Sequence, residues 1–267
     1  MEKRSRPIGI FDSGVGGLTV FKEVTTLLPQ EDIIYLGDTA RIPYGTRSPQ
    51  TIIKYSMKNT KFLLSRGIKL LVVACNTSSA VSLPHLQHGN AIPILGVIEP
   101  GARKAAQVTK NKKVGVIGTE ATLRSRAYED SIHGIDHQIK VVGQPCPLFV
   151  PLVEEGWVDD QVTYLTAQSY LYPLQEEKID TLVLGCTHYP LLKDVISEIM
   201  GDRVYLVNSA METAEEVKKV LEGKDLANKE ARERLYTFYV TDNADRFIKV
   251  GERFLGTELR GVREINW

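Results

Sequence analysis

Cysteine is scarce in this 267-residue chain: there are three, and no two form a C-x-x-C pair. An odd, widely spaced set without a secretory leader suits neither a disulfide framework nor a structural zinc site, so free thiols are expected. No sign of charge is in excess. Lys and Arg total 33, as do Asp and Glu, which removes the electrostatic footprint of a nucleic-acid or anionic-membrane partner and favours a small molecule. Long apolar runs are missing too, since none nears the roughly 20 residues that span a bilayer. The basic start MEKRSRPIGIFDSG turns polar too soon for a signal peptide, so a cytoplasmic location is expected. G-x-G-x-x-G and G-x-x-x-x-G-K-[ST] are also absent, which removes the dinucleotide fingerprint and the phosphate loop. His85, His88, His133 and His137 make no metal-ligand spacing with the cysteines, and no metal is expected.

What is present is an ordinary globular composition, 43% hydrophobic and 25% charged, arranged as short β-branched runs alternating with helical periods. IGIFD (8–12), IIYL (33–36), KLLVVA (69–74), PILGVI (93–98), KVGVIG (113–118), IKVVG (139–143), IDTLVLG (179–185) and VYLVN (204–208) read as strands apolar on both faces. Such strands suit mainly parallel sheets flanked by helices, an α/β fold. Residues 48–66, 159–177 and 210–222 carry helical periodicity, with Ser48 and Pro49 as N-cap and first-turn residues and Gly67 as a stop. The opening runs IGIFDSG and KVGVIGT are alike, and each precedes a cysteine strand, which suggests pseudo-duplication. LYTFYVT (235–241) and the helical segment 244–255 are expected to return to the first half. We therefore expect residues 1–98 with 209–267 to form one α/β domain and 99–208 a second, with a cleft between them.

In α/β sheets ligands collect at the carboxyl ends of strands. Cys75, in VVACNTSSA, and Cys186, in VLGCTHYP, both fall there, each followed by N-cap residue types: Asn76 and Thr77, then Thr187 and His188. A starting helix or a neighbouring cation favours a thiolate. The plain alternative, two small buried hydrophobes closing strands, explains each cysteine singly but not the matched pair. FDSGVGG places Asp12 and Ser13 at another strand end before a glycine-rich turn that serves either an anionic ligand or tight helix packing. GDTARIPYGTRS, with Asp38, Arg41, Pro43, Tyr44 and Gly45, reads as a polar lid or a surface loop, and Thr119 and Thr122 add hydroxyls at a helix start. Cys146, between two prolines, is expected to be structural.

GIFDSGVGGLTV, YLGDTARIPYGTRS, VVACNTSSA, GVIGTEAT and LGCTHYPLL resemble, in this order and from Ile8 to about Leu255, the glutamate racemases of the aspartate/glutamate racemase superfamily. The resemblance implies two pseudo-symmetric domains with the site between them. It also implies cofactor-independent interconversion of L- and D-glutamate by two cysteines, supplying D-glutamate for peptidoglycan, and hence for the cell wall and cell shape. Cys75 would act on D-glutamate and Cys186 on L-glutamate, assisted by Asp12 and His188 respectively. Substrate would be held by Asp12, Ser13, Tyr44, Gly45, Asn76, Thr77, Thr119, Thr122, Thr187 and His188, with Glu154 matching a further acidic position. No pyridoxal-binding lysine is evident, and a homodimer is expected. The short segment before Ile8 leads us to expect no activation by a cell-wall precursor. Rival readings are an aspartate racemase, which His188 after Cys-Thr disfavours, a thiol redox enzyme, and a solute-binding protein.

Overall fold

The computed structural model describes residues 3–229 and 233–266. Strands β1 (Ile8–Asp12), β2 (Ile33–Gly37), β3 (Leu70–Val73), β4 (Ile94–Gly96), β5 (Lys113–Gly118), β6 (Lys140–Pro145), β7 (Thr181–Gly185), β8 (Tyr205–Asn208) and β9 (Tyr236–Val240) match the nine apolar runs. The edge strand β10 (Val262–Glu264) was not anticipated, because three residues of mixed polarity carry no period. Helices α1 (Leu18–Leu27), α2 (Pro49–Ser65), α3 (Asn76–Gln87), α4 (Ile98–Val108), α5 (Glu120–Arg124), α6 (Ala127–His133), α7 (Phe149–Glu155), α8 (Gln161–Glu176), α9 (Lys193–Met200), α10 (Ser209–Gly223) and α11 (Ala244–Leu255) lie between them. The start of α2 is as the sequence predicts: the Ser48 side chain accepts from the Thr51 amide, and Pro49 occupies the first turn. Val97 and Ile98 depart from the strand reading, with Ile98 opening α4.

All strand pairs are parallel and form two sheets, of order β10-β9-β2-β1-β3-β4 and β6-β5-β7-β8. The shared order, with β1 between β2 and β3 as β5 is between β6 and β7, is the duplication that the sequence suggested. Cys75 follows β3 and Cys186 follows β7, which are corresponding strands. β9 returns to pair with β2, as expected of the last strand-helix pattern.

Burial on both faces explains the uninterrupted apolar runs. Ile8, Ile10, Leu70 and Val72 join Leu182 and Leu184 in a central core that also takes in residues of α1, α8, α10 and α11. Their alternates in the first sheet, Phe11, Leu71 and Val73, pack with Leu63 and Leu83 of α2 and α3. Val114, Val116 and Val183 do the same with Ala102, Ala105 and Ile132 of α4 and α6. Each such side chain contributes roughly 1.5–3 kcal/mol on full burial. The expectation of two covered faces fails for β6 and most of β8, which lie at sheet edges and are largely half-exposed or exposed. No helix among the described residues is long and apolar enough to cross a membrane.

At the amino ends of the first sheet's strands an ion pair is buried: Lys69 Nζ lies 2.5 Å from Glu31 Oε2, and both side chains are 2% exposed. Lys69 also donates to the carbonyls of Arg4 and Leu226, and Glu31 accepts from the Asn228 amide. The pair thus ties the chain start and the segment after α10 to the sheet. Removing one partner strands the other charge in the interior, at a cost of about 3–5 kcal/mol, whereas replacing both with apolar groups is often close to neutral. Lys69→Met is expected to lose about 3 kcal/mol in urea unfolding, and adding Glu31→Leu is expected to restore most of it.

Candidate active site

The carboxyl ends of both sheets face one cavity of about 410 Å³, and both cysteines line it. Ser13, Tyr44, Gly45, Asn76, Thr77, Thr119, Thr187 and His188 line it as well, as does Glu154. Two predicted residues stand one layer back. Asp12, 1% exposed, holds the turn behind Ser13 by accepting from the Gly14 amide at 2.9 Å. Thr122, also 1% exposed, bonds Thr77 at 3.1 Å and Thr119 at 3.0 Å, closing a hydroxyl triangle with the 2.9 Å Thr77–Thr119 bond. That triangle joins the start of α3 in one half to the start of α5 in the other.

Cys75 is the N-cap of α3, its Sγ accepting from the Ser78 amide at 3.4 Å, and its thiol donates to Ser13 Oγ at 3.6 Å. Burial pushes this thiol up to about 12, and the charge of Asp12 adds to the rise, while the Ser78 amide and Ser13 oppose it. Burial likewise raises Asp12, against the charge of His188 and the amides of its own turn. Cys186 is placed differently from its counterpart. No α-helix starts behind it; residues Tyr189–Leu192 form a single 3-10 turn before α9. In place of a helix it has His188, whose Nδ1 lies 3.9 Å from Sγ and whose Nε2 lies 3.0 Å from Glu154 Oε1. Burial alone would pull His188 down, but hydrogen bonds and charge from Cys186 and Glu154 outweigh it and push it up to about 10. Burial would raise Glu154, yet His188 and Arg246 hold it below the usual carboxylate range.

The glycine-rich turn serves packing at Gly16, while its Gly14 lines the cavity. A Cβ on Gly16 would lie 2.3 Å from Thr187 Oγ1 and 2.5 Å from His188 Nδ1 and Cε1. One on Gly45 would lie 2.8 Å from Thr119 Cβ. The loop read as a lid or a surface loop is in part buried. Asp38 is fully buried and Tyr44 1% exposed; Asp38 accepts from the Tyr44 hydroxyl, from Arg41 at 2.8 Å and from Thr241 at 3.0 Å. Asn59 adds a 3.2 Å bond to the Tyr44 hydroxyl. Tyr44 thus reaches the cavity on a braced support.

Asn76 is oriented from behind, its Oδ1 accepting from Tyr128 OH at 2.7 Å. Its Nδ2 and Asp12 Oδ1 are buried with no hydrogen-bond partner among the described residues. Sequence reasoning missed the apolar wall of Ile42, Pro147, Val150 and Pro151. The signal was available, since Pro147 to Pro151 follow β6 at the same end of its sheet as the cysteines. Cys146 is buried in the central core, with its carbonyl accepting from Tyr189 OH at 2.8 Å. His133 is half-buried and bonded to the Ile139 carbonyl, rather than solvated like His85, His88 and His137. Among the described residues no group of three or more His, Cys, Asp or Glu could hold a metal ion.

Two matched α/β halves presenting one thiol each to a shared cleft define a racemase-type architecture. The family model for Asp/Glu/hydantoin racemase matches residues 13–216. A glutamate racemase from Geobacter metallireducens is 56% identical over 98% of this chain and 97% of its own. The crystal structure of a glutamate racemase from Bacillus anthracis superposes with a TM-score of 0.95 at 41% identity, covering 98% of both chains. That of the Francisella tularensis enzyme, solved in complex with D-glutamate, gives 0.93 at 41% identity with the same coverage. The chain belongs to the Asp/Glu/hydantoin racemase family, and within it to the glutamate racemases.

Two outcomes follow. Gly16→Ala drives a methyl into Thr187 and His188, and a misplacement of about 1 Å costs on the order of 100-fold in rate. Steady-state racemase assays on the folded variant are expected to show a fall of that order in kcat/KM. His188 keeps its proton up to about pH 10 in the folded chain but releases it near 6.5 when unfolded. This contribution to stability is whole below pH 6.5 and is lost as pH rises through 10. Between those limits Tm is expected to fall with pH more steeply in the wild type than in His188→Asn.

Proposed function

We propose that this racemase interconverts L- and D-glutamate by proton transfer between two thiols, Cys75 acting on the D-face and Cys186 on the L-face. The observation that carries the reading is that both thiols line one cavity from corresponding positions in the two halves, each with its own electrostatic support. Racemisation needs a base on one side of the α-carbon and an acid on the other, with roles exchanged in reverse. The two thiols have different neighbours, which suits opposite roles in one direction of the reaction. Burial favours the thiol form of Cys75, the group assigned as acid, while the His188 ring lies 3.9 Å from the sulfur of Cys186, the group assigned as base. With Cys186 as base and Cys75 as acid, the site takes L-glutamate. After one turnover Cys75 is the thiolate, held by the amides at the start of α3 and by the substrate ammonium, and the site is set for D-glutamate.

The substrate carboxylates and ammonium need donors and acceptors in a water-poor site. Asn76 Nδ2 is a free buried donor, the threonine triangle and Thr187 supply hydroxyls, and Ser13, Tyr44 and Gly45 complete the rim. Asp12 backs the Cys75 side from behind the cavity wall, its charge acting on that thiol and its buried Oδ1 left without a partner among the described residues. Removal of the α-proton leaves a carbanion-like or enediolate-like state, which fixed donors around the carboxylate stabilise. Every group this scheme requires is a side chain or amide of the chain itself, so no added cofactor is needed. The division into residues 1–98 with 209–267 and residues 99–208 is supported by the membership of the two sheets. The role in supplying D-glutamate for peptidoglycan in the cytoplasm, and assembly as a homodimer, are parts of the same reading, carried by the family.

The test is incubation with L-glutamate in deuterated water without cofactor, following optical rotation and α-deuterium. Wild type is expected to lose rotation with deuterium incorporation, and Cys75→Ser and Cys186→Ser each to be slowed by at least about 1,000-fold. No change of rotation and no exchange in the wild type would defeat the reading.

A further inference from the structure

The Cys186 side of the site is finished by an element of the opposite sheet's half. Helix α11 lies between β9 and β10 of the first sheet, whereas Glu154 lies on α7, after β6 of the second. Three contacts from α11 converge on Glu154 and His188. Arg246 Nη2 lies 3.6 Å from Glu154 Oε2 and 3.1 Å from Glu155 Oε1. Arg253 Nη1 donates to the Glu154 carbonyl at 3.0 Å. The Phe254 ring meets the His188 ring edge-on, at 5.3 Å between centroids. Arg246 is itself aimed from the first turn of α11, where the Asn243 side chain caps the helix by accepting from the Arg246 amide at 3.1 Å.

Glu154 has two carboxylate oxygens and two cationic neighbours. Oε1 takes His188 Nε2, and Oε2 faces Arg246. Among the described residues no other side chain pairs with this carboxylate. A carboxylate that fixes one ring nitrogen of a histidine decides what the other nitrogen presents, here Nδ1 towards Cys186. A guanidinium on the far oxygen keeps that carboxylate turned to the ring and ionised.

Resting on the two-thiol reading, we propose that Arg246 is a positioning residue for the Cys186 half-reaction, acting across the cleft through Glu154 on His188. Arg246 is not among the residues that line the cavity of the two thiols. Because it comes from the other half of the molecule, the His188–Glu154 pair is held in place only when α11 and α7 are apposed, so the approach of the two halves and the readiness of Cys186 are one event.

The test is Arg246→Gln assayed in both directions with unlabelled and α-deuterated glutamate. L- and D-glutamate have equal free energies, so kcat/KM must change equally in both directions, and a fall of about tenfold is expected, equivalent to about 1.4 kcal/mol of transition-state stabilisation. The deuterium isotope effect separates the two faces. If the Cys186 transfer is the one slowed, the effect on kcat/KM rises with α-deuterated L-glutamate and falls with α-deuterated D-glutamate. A merely structural role would leave the two effects in their wild-type ratio. Arg246→Lys, which keeps the charge but not the fork, is expected to give a smaller fall with the same asymmetry. Glu155→Gln, which leaves Glu154 in place, is expected to stay within twofold of wild type with unchanged isotope effects. kcat/KM within twofold of wild type in Arg246→Gln, or a loss with an unchanged ratio of isotope effects, would overturn the role of Arg246. Wild-type racemisation by Cys186→Ser would instead overturn the two-thiol reading on which it rests.

Discussion

The distance between the two halves is set where backbone meets side chain with no room for a Cβ, at Gly16 against Thr187 and His188 and at Gly45 against Thr119. Everything at the site depends on that approach. The cavity is bounded by residues from both sheets, and the threonine triangle spans the same seam, so a shift of one half changes every lining distance together. Close-packed interiors transmit such displacements because no free volume absorbs them.

Within that frame the two cysteines are equivalent by topology and different by environment. Each follows the third strand of a 2-1-3-4 sheet order, which gives the pseudo-symmetry that a two-sided proton transfer requires. One has a helix N-terminus and a serine, the other a histidine and a glutamate. The difference has a physical logic. A lone buried thiol is cheap to keep neutral, while a buried cation such as His188 needs an anion beside it, and Glu154 supplies one. The Arg246 contact extends that compensation outward to half-exposed surface, where screening weakens it but leaves its direction intact.

Much of this was legible before any coordinates. Nine strands follow from apolar runs, most of them buried on both faces, and the start of α2 follows from Ser48 and Pro49. Cys75 and Cys186 were legible as a pair because each ends such a run and begins a polar one. The illegible parts share a cause. β10 is too short to carry a period, and Ile98 has a β-branched side chain that helix α4 buries anyway. Asp38 looked like a loop residue because its partners Tyr44, Arg41 and Thr241 are brought to it by folding.

The sequence by itself determined nine strands and the main helices, the duplication, the family, and the chemical type of the groups at the strand ends, because those depend on local periodicity and on short motifs. Only the tertiary structure decided which of those groups meet. It moved Asp12 and Thr122 behind the cavity wall, added Pro147, Val150 and Pro151 to it, split the glycine turn between the cavity at Gly14 and packing at Gly16, and carried α11 across the cleft to Glu154. Contacts between residues some ninety positions apart, such as Glu154 and Arg246, leave no trace in local pattern, since either side chain alone is an ordinary surface charge until the two halves close on each other.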